Sequence, residues 1–318
     1  MDIDLRQKLI QQIMNKTIKG NIDNISRTTF YESFYFHYKE IKWALLAGLV
    51  SRNAGWNMCD LESDCFSSII PKQSRNNLFL TYERANWLIF QDAYPQLLLY
   101  HYSKKFGYPL FHLLPYFSVS KFMMKEWMNF WKIGDERRLL YSLIINEQNL
   151  IQTPIISKPF YQKKVFRTLP FYFQELLHYS IVIFPTSSGE LYGASVEKFK
   201  KVDCRIELGK MLSWILFESG NLQYFIDFIK KTPHTGSRHD YEKLWSKRRD
   251  IPLLRLTYPI IEHKRAVDKS WDEVRKIKKS WFKEPRINNH VNLTNWYKKK
   301  RKEIEIYANI MDWLKMNE

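Results

Sequence analysis

Two short stretches gather the side chains in this sequence that could do chemistry. The first, VSRNAGWNMCD, carries Arg52, Asn53, Trp56, Asn57 and Asp60 directly after an apolar helical stripe of Ile41, Ala44, Leu45, Gly48 and Leu49. The second, ERANWLIFQD, carries Glu83, Arg84, Asn86, Trp87 and Asp92. Polar groups joined to a buried stripe must find partners, because an unpaired buried donor or acceptor costs about 1–3 kcal/mol. On a helix Glu83, Asn86 and Trp87 share a face at i, i+3 and i+4. Arg52 is expected to meet Asp60 or Glu83 in a bidentate contact. A sealed cluster of this kind is a structural network that fixes helix register. An open one is a pocket: Arg52, Asn53, Trp56, Asn57, Asn86 and Trp87 would line it, and Asp60 or Glu83 would act as general base if burial raised its pKa.

A third stretch, Thr232-Pro-His-Thr-Gly-Ser-Arg-His-Asp240, is dense in turn residues and in proton-transfer and anion-binding groups. His234 and His239 are further candidates for acid–base chemistry, and Arg238 for holding an anion. If this loop covers the Arg52–Asp60 segment, these groups share one site; otherwise it is an ordinary turn. Nucleotide-binding glycine motifs and a Gly-x-Ser-x-Gly elbow are absent. Glu175-Leu-Leu-His178 has the Glu-x-x-His spacing of helical di-metal sites, but the second copy is missing, since His37-Tyr-Lys-Glu40 runs in reverse. Neither a metal nor a cofactor is therefore expected. Cys59, Cys65 and Cys204 form no ligand pattern or disulfide framework.

The elements that must position these residues read as helices. Leu5, Leu9 and Ile13 mark an amphipathic helix over 2–18. Thr29 and Glu32 have capping-box spacing, which predicts a second helix from Phe30. Gly55 suits the end of the helix holding Trp43, with Asn57 and Asp60 then capping a further one. After Pro71 a long helical pattern runs through Phe79 and Phe90, and Pro95 is expected either to kink it or to open a new helix with Asp92 as its cap. Residues 106–120 read as a packed, proline-containing loop. Helices follow from Ser118 or Ser120, from Asp135, from Asp203 and from Asn221, and two short ones are expected within 160–179. The β-branched run after Ser180, the turn Thr186-Ser-Ser-Gly189 and Leu191–Val196 suggest a hairpin. The expected fold class is all-α or nearly so: a compact multi-helix assembly with a minor β-hairpin near 181–196.

A hydrophobic fraction of 45% with only 22 Gly and Pro among 318 residues excludes a disordered chain. The net charge of +17 favours a polyanionic partner. Charge density divides the chain into a helical body, 1–237, and a basic helical C-terminal region, 238–318, expected to pack on that body. The latter holds 21 Lys and Arg against 12 Asp and Glu, with Trp271, Trp281 and Trp296 among the lysines. Lys298, Lys299, Lys300 and Arg301 are the candidate nucleic-acid contacts, with tryptophans available to stack on bases. Without a leader-like start or a long uncharged run, a cytoplasmic location and no transmembrane segment are expected.

The blocks VSRNAGWNMCDL and YERANWLIFQDAYPQLLLY resemble the YppC-type family of uncharacterised proteins from spore-forming bacteria. The resemblance implies a domain of unknown function and carries over no catalytic residues. The leading expectation is a cytosolic, polyanion-binding helical protein that engages nucleic acid. One alternative is a hydrolase or transferase acting on an anionic substrate between blocks 51–60 and 83–92. The other is an interaction or scaffold protein whose polar core is purely structural.

Overall fold

Helix α1, Ile3–Gly20, turns tightly into α2, Asn24–His37, because Gly20 leaves room for the Phe30 and Phe90 rings that a Cβ would strike at 2.6 Å. These helices and those that follow belong to a computed structural model that describes residues 3–166, 181–195, 198–246, 252–264, 270–287 and 291–316. Asp23 caps α2, its carboxylate accepting from the Ser26 amide at 2.7 Å. The helix thus starts earlier than the Thr29–Glu32 spacing predicts. Thr29 instead bonds back to the Ile25 carbonyl, and Glu32 is released for a tertiary role.

Helix α3, Lys42–Asp60, packs along α2 and runs straight through Gly55. After the short α4, Asp64–Ile69, α5 extends from Lys72 to Phe106 without a break at Pro95. Asp92 is therefore no cap. It lies buried inside α5 and accepts from Gln96 and Asn146, each at 2.7 Å. Gln96 and Asn146 in turn accept the indole N–H groups of Trp127 and Trp271, both at 2.8 Å. Such a network supplies the interior hydrogen bonds that buried polar groups demand.

A 3-10 segment, Phe111–Phe117, precedes α6, Lys121–Ile133, and α7, Glu136–Leu150, capped by Ser120 and Asp135 as their positions suggest. The chain continues through Gln152–Ile156 and Pro159–Phe166; Glu175 and His178 lie outside the described residues. Strands β1, Ile181–Pro185, and β2, Leu191–Ser195, form the hairpin, with Ile183 opposite Gly193. Helices α8, Val202–Phe217, and α9, Leu222–Lys231, follow, and Thr294–Met316 forms α10.

The main core gathers side chains of α1, α2, α3, α5, α6, α7 and α8 around Trp43 and Trp127, and Trp271 and Trp281 from the basic region join it. Backbone bonds tie residues 291–293 to the free edge of β2, and α10 packs on α4. The structure is predominantly helical, and among the described residues its one sheet is this hairpin. No described helix is long and apolar enough to cross a membrane.

Candidate functional site

The loop Thr232–Asp240 does pack over α3, and Gly55 is the reason it can. A Cβ there would run into Asn24 Oδ1 and stand 2.7 Å from His234 Nε2. Gly55 is thus a point of close approach within the helix rather than its end. His234 Nε2 lies 2.8 Å from Asn24 Oδ1, and Nδ1 lies 3.3 Å from Asp240 Oδ2. Burial, together with the nearby Arg52 charge, holds the His234 pKa below its ordinary value despite the Asp240 carboxylate. Asp240 also accepts from Trp56 Nε1 at 3.0 Å and from Thr235. Despite its burial, these donors keep its carboxyl below the usual range.

Arg238 reaches from the same loop to α3. It donates to Asp60, to Asn57 Oδ1 at 2.7 Å and to the Tyr241 hydroxyl at 2.6 Å. Although burial works against its charge, the Asp60 carboxylate holds its pKa above the ordinary arginine value. The chain of contacts runs on through Tyr297 to Glu242 and Arg301, joining α3 to α10. His239 is half-buried, and its Nδ1 makes no hydrogen bond.

Arg52 pairs with neither Asp60 nor Glu83. Its carboxylate is Glu32, at 2.6 and 3.1 Å, and its remaining contact is the Thr232 carbonyl at 2.8 Å. The spacing of α2 against α3 decides this, once Asp23 has taken over the cap. Asn53 clamps the backbone N–H and C=O of Ile183, at 2.8 and 2.7 Å, and so docks the hairpin on α3. In the second block Glu83 is ion-paired with Arg27, with His263 Nε2 at 3.7 Å. Asn86 bonds back to the Tyr82 carbonyl at 2.8 Å, and Arg84 sits over the Trp87 ring. The two blocks therefore belong to separate networks, with Asp60 committed to Arg238 and Glu83 to Arg27.

At the C-terminus, Lys298 lies over the Trp245 ring, Lys300 is 2.7 Å from Glu303, and half-buried Arg301 is held by Glu242. Lys299 is exposed. Trp271 and Trp281 are buried with bonded indoles, and Trp296 packs against a satellite cluster, so these rings serve as core.

Between the two blocks lies a cavity of about 230 Å³. Its wall is mainly aliphatic, with Val50, Ile89, Ile144, Ile155 and Leu212 among the side chains; Asn53, Asn57 and Asn86 also line it. Four groups set its polar part. Arg27 Nε and the Tyr31 hydroxyl, one helical turn apart on α2, are buried and make no hydrogen bond. Glu147, on α7, accepts from Trp43 Nε1 at 3.1 Å and Gln148 Nε2 at 2.5 Å, yet burial still pushes its pKa up to about 7. Arg205, on α8, is bonded to the oxygens of Gln148, Gln152 and Phe199, and burial lowers its pKa to about 10. None of Arg27, Tyr31, Glu147 and Arg205 stands in the blocks that attract notice in the sequence. The i, i+4 spacing of Arg27 and Tyr31 in a helix rich in Phe and Tyr was the available signal. Among the described residues no group of three His, Cys, Asp or Glu side chains could hold a metal ion.

A family model described as "Protein of unknown function (DUF2515)" matches residues 19–298. The chain is also 48% identical over 310 residues to the uncharacterized protein YppC of Bacillus subtilis (strain 168), covering 97% of each. No solved structure matches it. The chain belongs to the DUF2515 family of proteins of unknown function.

Proposed function

We propose that this protein binds a small, largely aliphatic molecule in the cavity between the 51–60 and 83–92 blocks. The observation that carries the reading is the pair of orphaned donors, Arg27 Nε–H and Tyr31 O–H, in a wall that is mainly aliphatic. Each lost hydrogen bond costs about 1–3 kcal/mol, so a folded chain keeps two in one cavity at a real cost in stability. A ligand with one polar end relieves that cost while its apolar remainder fills the space. Asn53, Asn57, Asn86 and Glu83 each have a protein partner, and Asp60 is paired with Arg238 through one oxygen while its Oδ1 makes no hydrogen bond and stands outside the wall.

The test is uptake of a polarity-sensitive fluorescent alkyl dye. Wild type is expected to bind it saturably. Ala85→Phe and Ala54→Leu, which fill the cavity from α5 and α3 respectively, should each abolish that binding. Dye uptake undiminished in both variants, or none in wild type, contradicts the reading.

A second reading, capture of a polyanion such as nucleic acid, draws on the charge of +17 and on Lys299 and Lys302, exposed one turn apart on α10. On that reading affinity for DNA falls steeply with salt, and the double change Lys299→Gln with Lys302→Gln flattens the slope by about two ions. The absence of binding at low salt would rule it out.

A further inference from the structure

We infer that the cavity's ligand is a carboxylic acid with a single aliphatic chain, its carboxylate held by Arg27 Nε–H and the Tyr31 hydroxyl and its tail lying along the aliphatic wall. This rests on the reading of the cavity as a ligand site. Three observations choose the head group.

The unused groups are both donors, while no buried side-chain acceptor in the wall lacks a partner among the described residues. The head group must therefore accept hydrogen bonds and need not donate one, which disfavours an amine and gives an alcohol's proton no waiting partner. The two donors project from positions i and i+4 of α2, so both can reach the two oxygens of one carboxylate.

Charge points the same way. Arg27 is neutralised by Glu83, but the buried Arg205 guanidinium is hydrogen-bonded to neutral oxygens alone: the Gln148 side chain and carbonyl, the Gln152 side chain and the Phe199 carbonyl. Among the described residues the one carboxylate in the wall is Glu147, and burial raises its pKa to about 7, so near neutrality it is only partly ionised. The wall thus carries positive charge without a full counterpart, and a buried charge seeks one. A single anionic head completes it.

The wall favours an aliphatic tail over a ring system rich in polar atoms. Val50, Ile89, Ile144, Ile151, Ile155 and Leu212 offer apolar surface and few hydrogen-bonding groups.

The deciding experiment is displacement of the bound alkyl dye by dodecanoate, dodecanol and methyl dodecanoate, which share one chain length and differ only at the head. Dodecanoate is expected to displace the dye at about ten-fold lower concentration than the other two, the worth of one charge-assisted hydrogen bond. Tyr31→Phe keeps the ring and removes the hydroxyl, and should shrink that preference several-fold. Equal displacement by all three overturns the carboxylate assignment and leaves the cavity reading standing. An undiminished preference in Tyr31→Phe overturns the assigned position of the head. If none of the three displaces the dye, the cavity reading falls with the proposal.

Discussion

Glu147 carries a titration that can be followed in the ligand-free protein. Its pKa stands at about 7 against an ordinary 4.5, so the folded chain holds a proton that the unfolded chain releases across that interval. The resulting stabilisation is full below pH 4.5 and is lost as pH rises through 7. Glu147→Gln cannot titrate. Its melting temperature relative to wild type should rise between about pH 4.5 and pH 8, and a difference that stays constant would contradict the buried, proton-holding carboxyl. At the other network, Arg238→Ala leaves Asp60 buried without its cation and should destabilise by about 3–5 kcal/mol in denaturant unfolding; a loss under 1 kcal/mol would mean that Asp60 reaches water. At this scale the sequence was partly legible. Arg52, Asn57, Asp60 and Glu83 were singled out as polar groups needing partners, and each has one, while Arg238, read as an anion holder, is taken up by Asp60. The pairing was not legible, because Glu32 lies 20 residues from Arg52 and Arg238 lies 178 from Asp60. Helix-to-helix register sets both distances.

Among the elements, α3 illustrates how a local rule yields to a tertiary one. Glycine reads as a helix terminator, yet Gly55 stays inside α3 because Asn24 and His234 press on its backbone. On helix propensity alone, Gly55→Ala should stabilise by about 1 kcal/mol. The contacts with two hydrogen-bonded side chains reverse the sign, and a net loss of about 1–3 kcal/mol is expected from overpacking. A variant more stable than wild type in urea would show that the loop does not lie tightly on α3. Pro95 is a second such case: α5 continues through it, held by core contacts on either side. Where local signals had no tertiary competitor they served well. Ser120 and Asp135 cap their helices, Gly134 ends α6 in the left-handed region, and the turn at Thr186–Gly189 closes the hairpin. Thr29 and Glu32 had the spacing of a cap and lost it to Asp23, since the helix began a turn and a half earlier.

For the whole molecule, the helical class with one hairpin followed from periodicity, and a pocket between the two blocks was among the expectations, but its mainly aliphatic wall was not. Its wall draws on α2, α3, α5, α7, α8 and the first strand, and no single segment reveals that their side chains stop short of filling the space. The positive charge was equally visible in the sequence, but its placement was not. Arg301 is spent on Glu242 and Lys300 on Glu303, leaving the polyanion reading with fewer exposed cations than the run of basic residues suggested. On the proposed reading, the orphaned Arg27 and Tyr31 donors mark a cavity that a ligand fills rather than a packing defect. Titration calorimetry of the wild-type chain with dodecanoate tests this most directly. The account predicts one saturable site per chain, with a negative heat-capacity change from apolar burial, and neither in Ala85→Phe. Heats that never saturate, or the same isotherm from the filled variant, would contradict it.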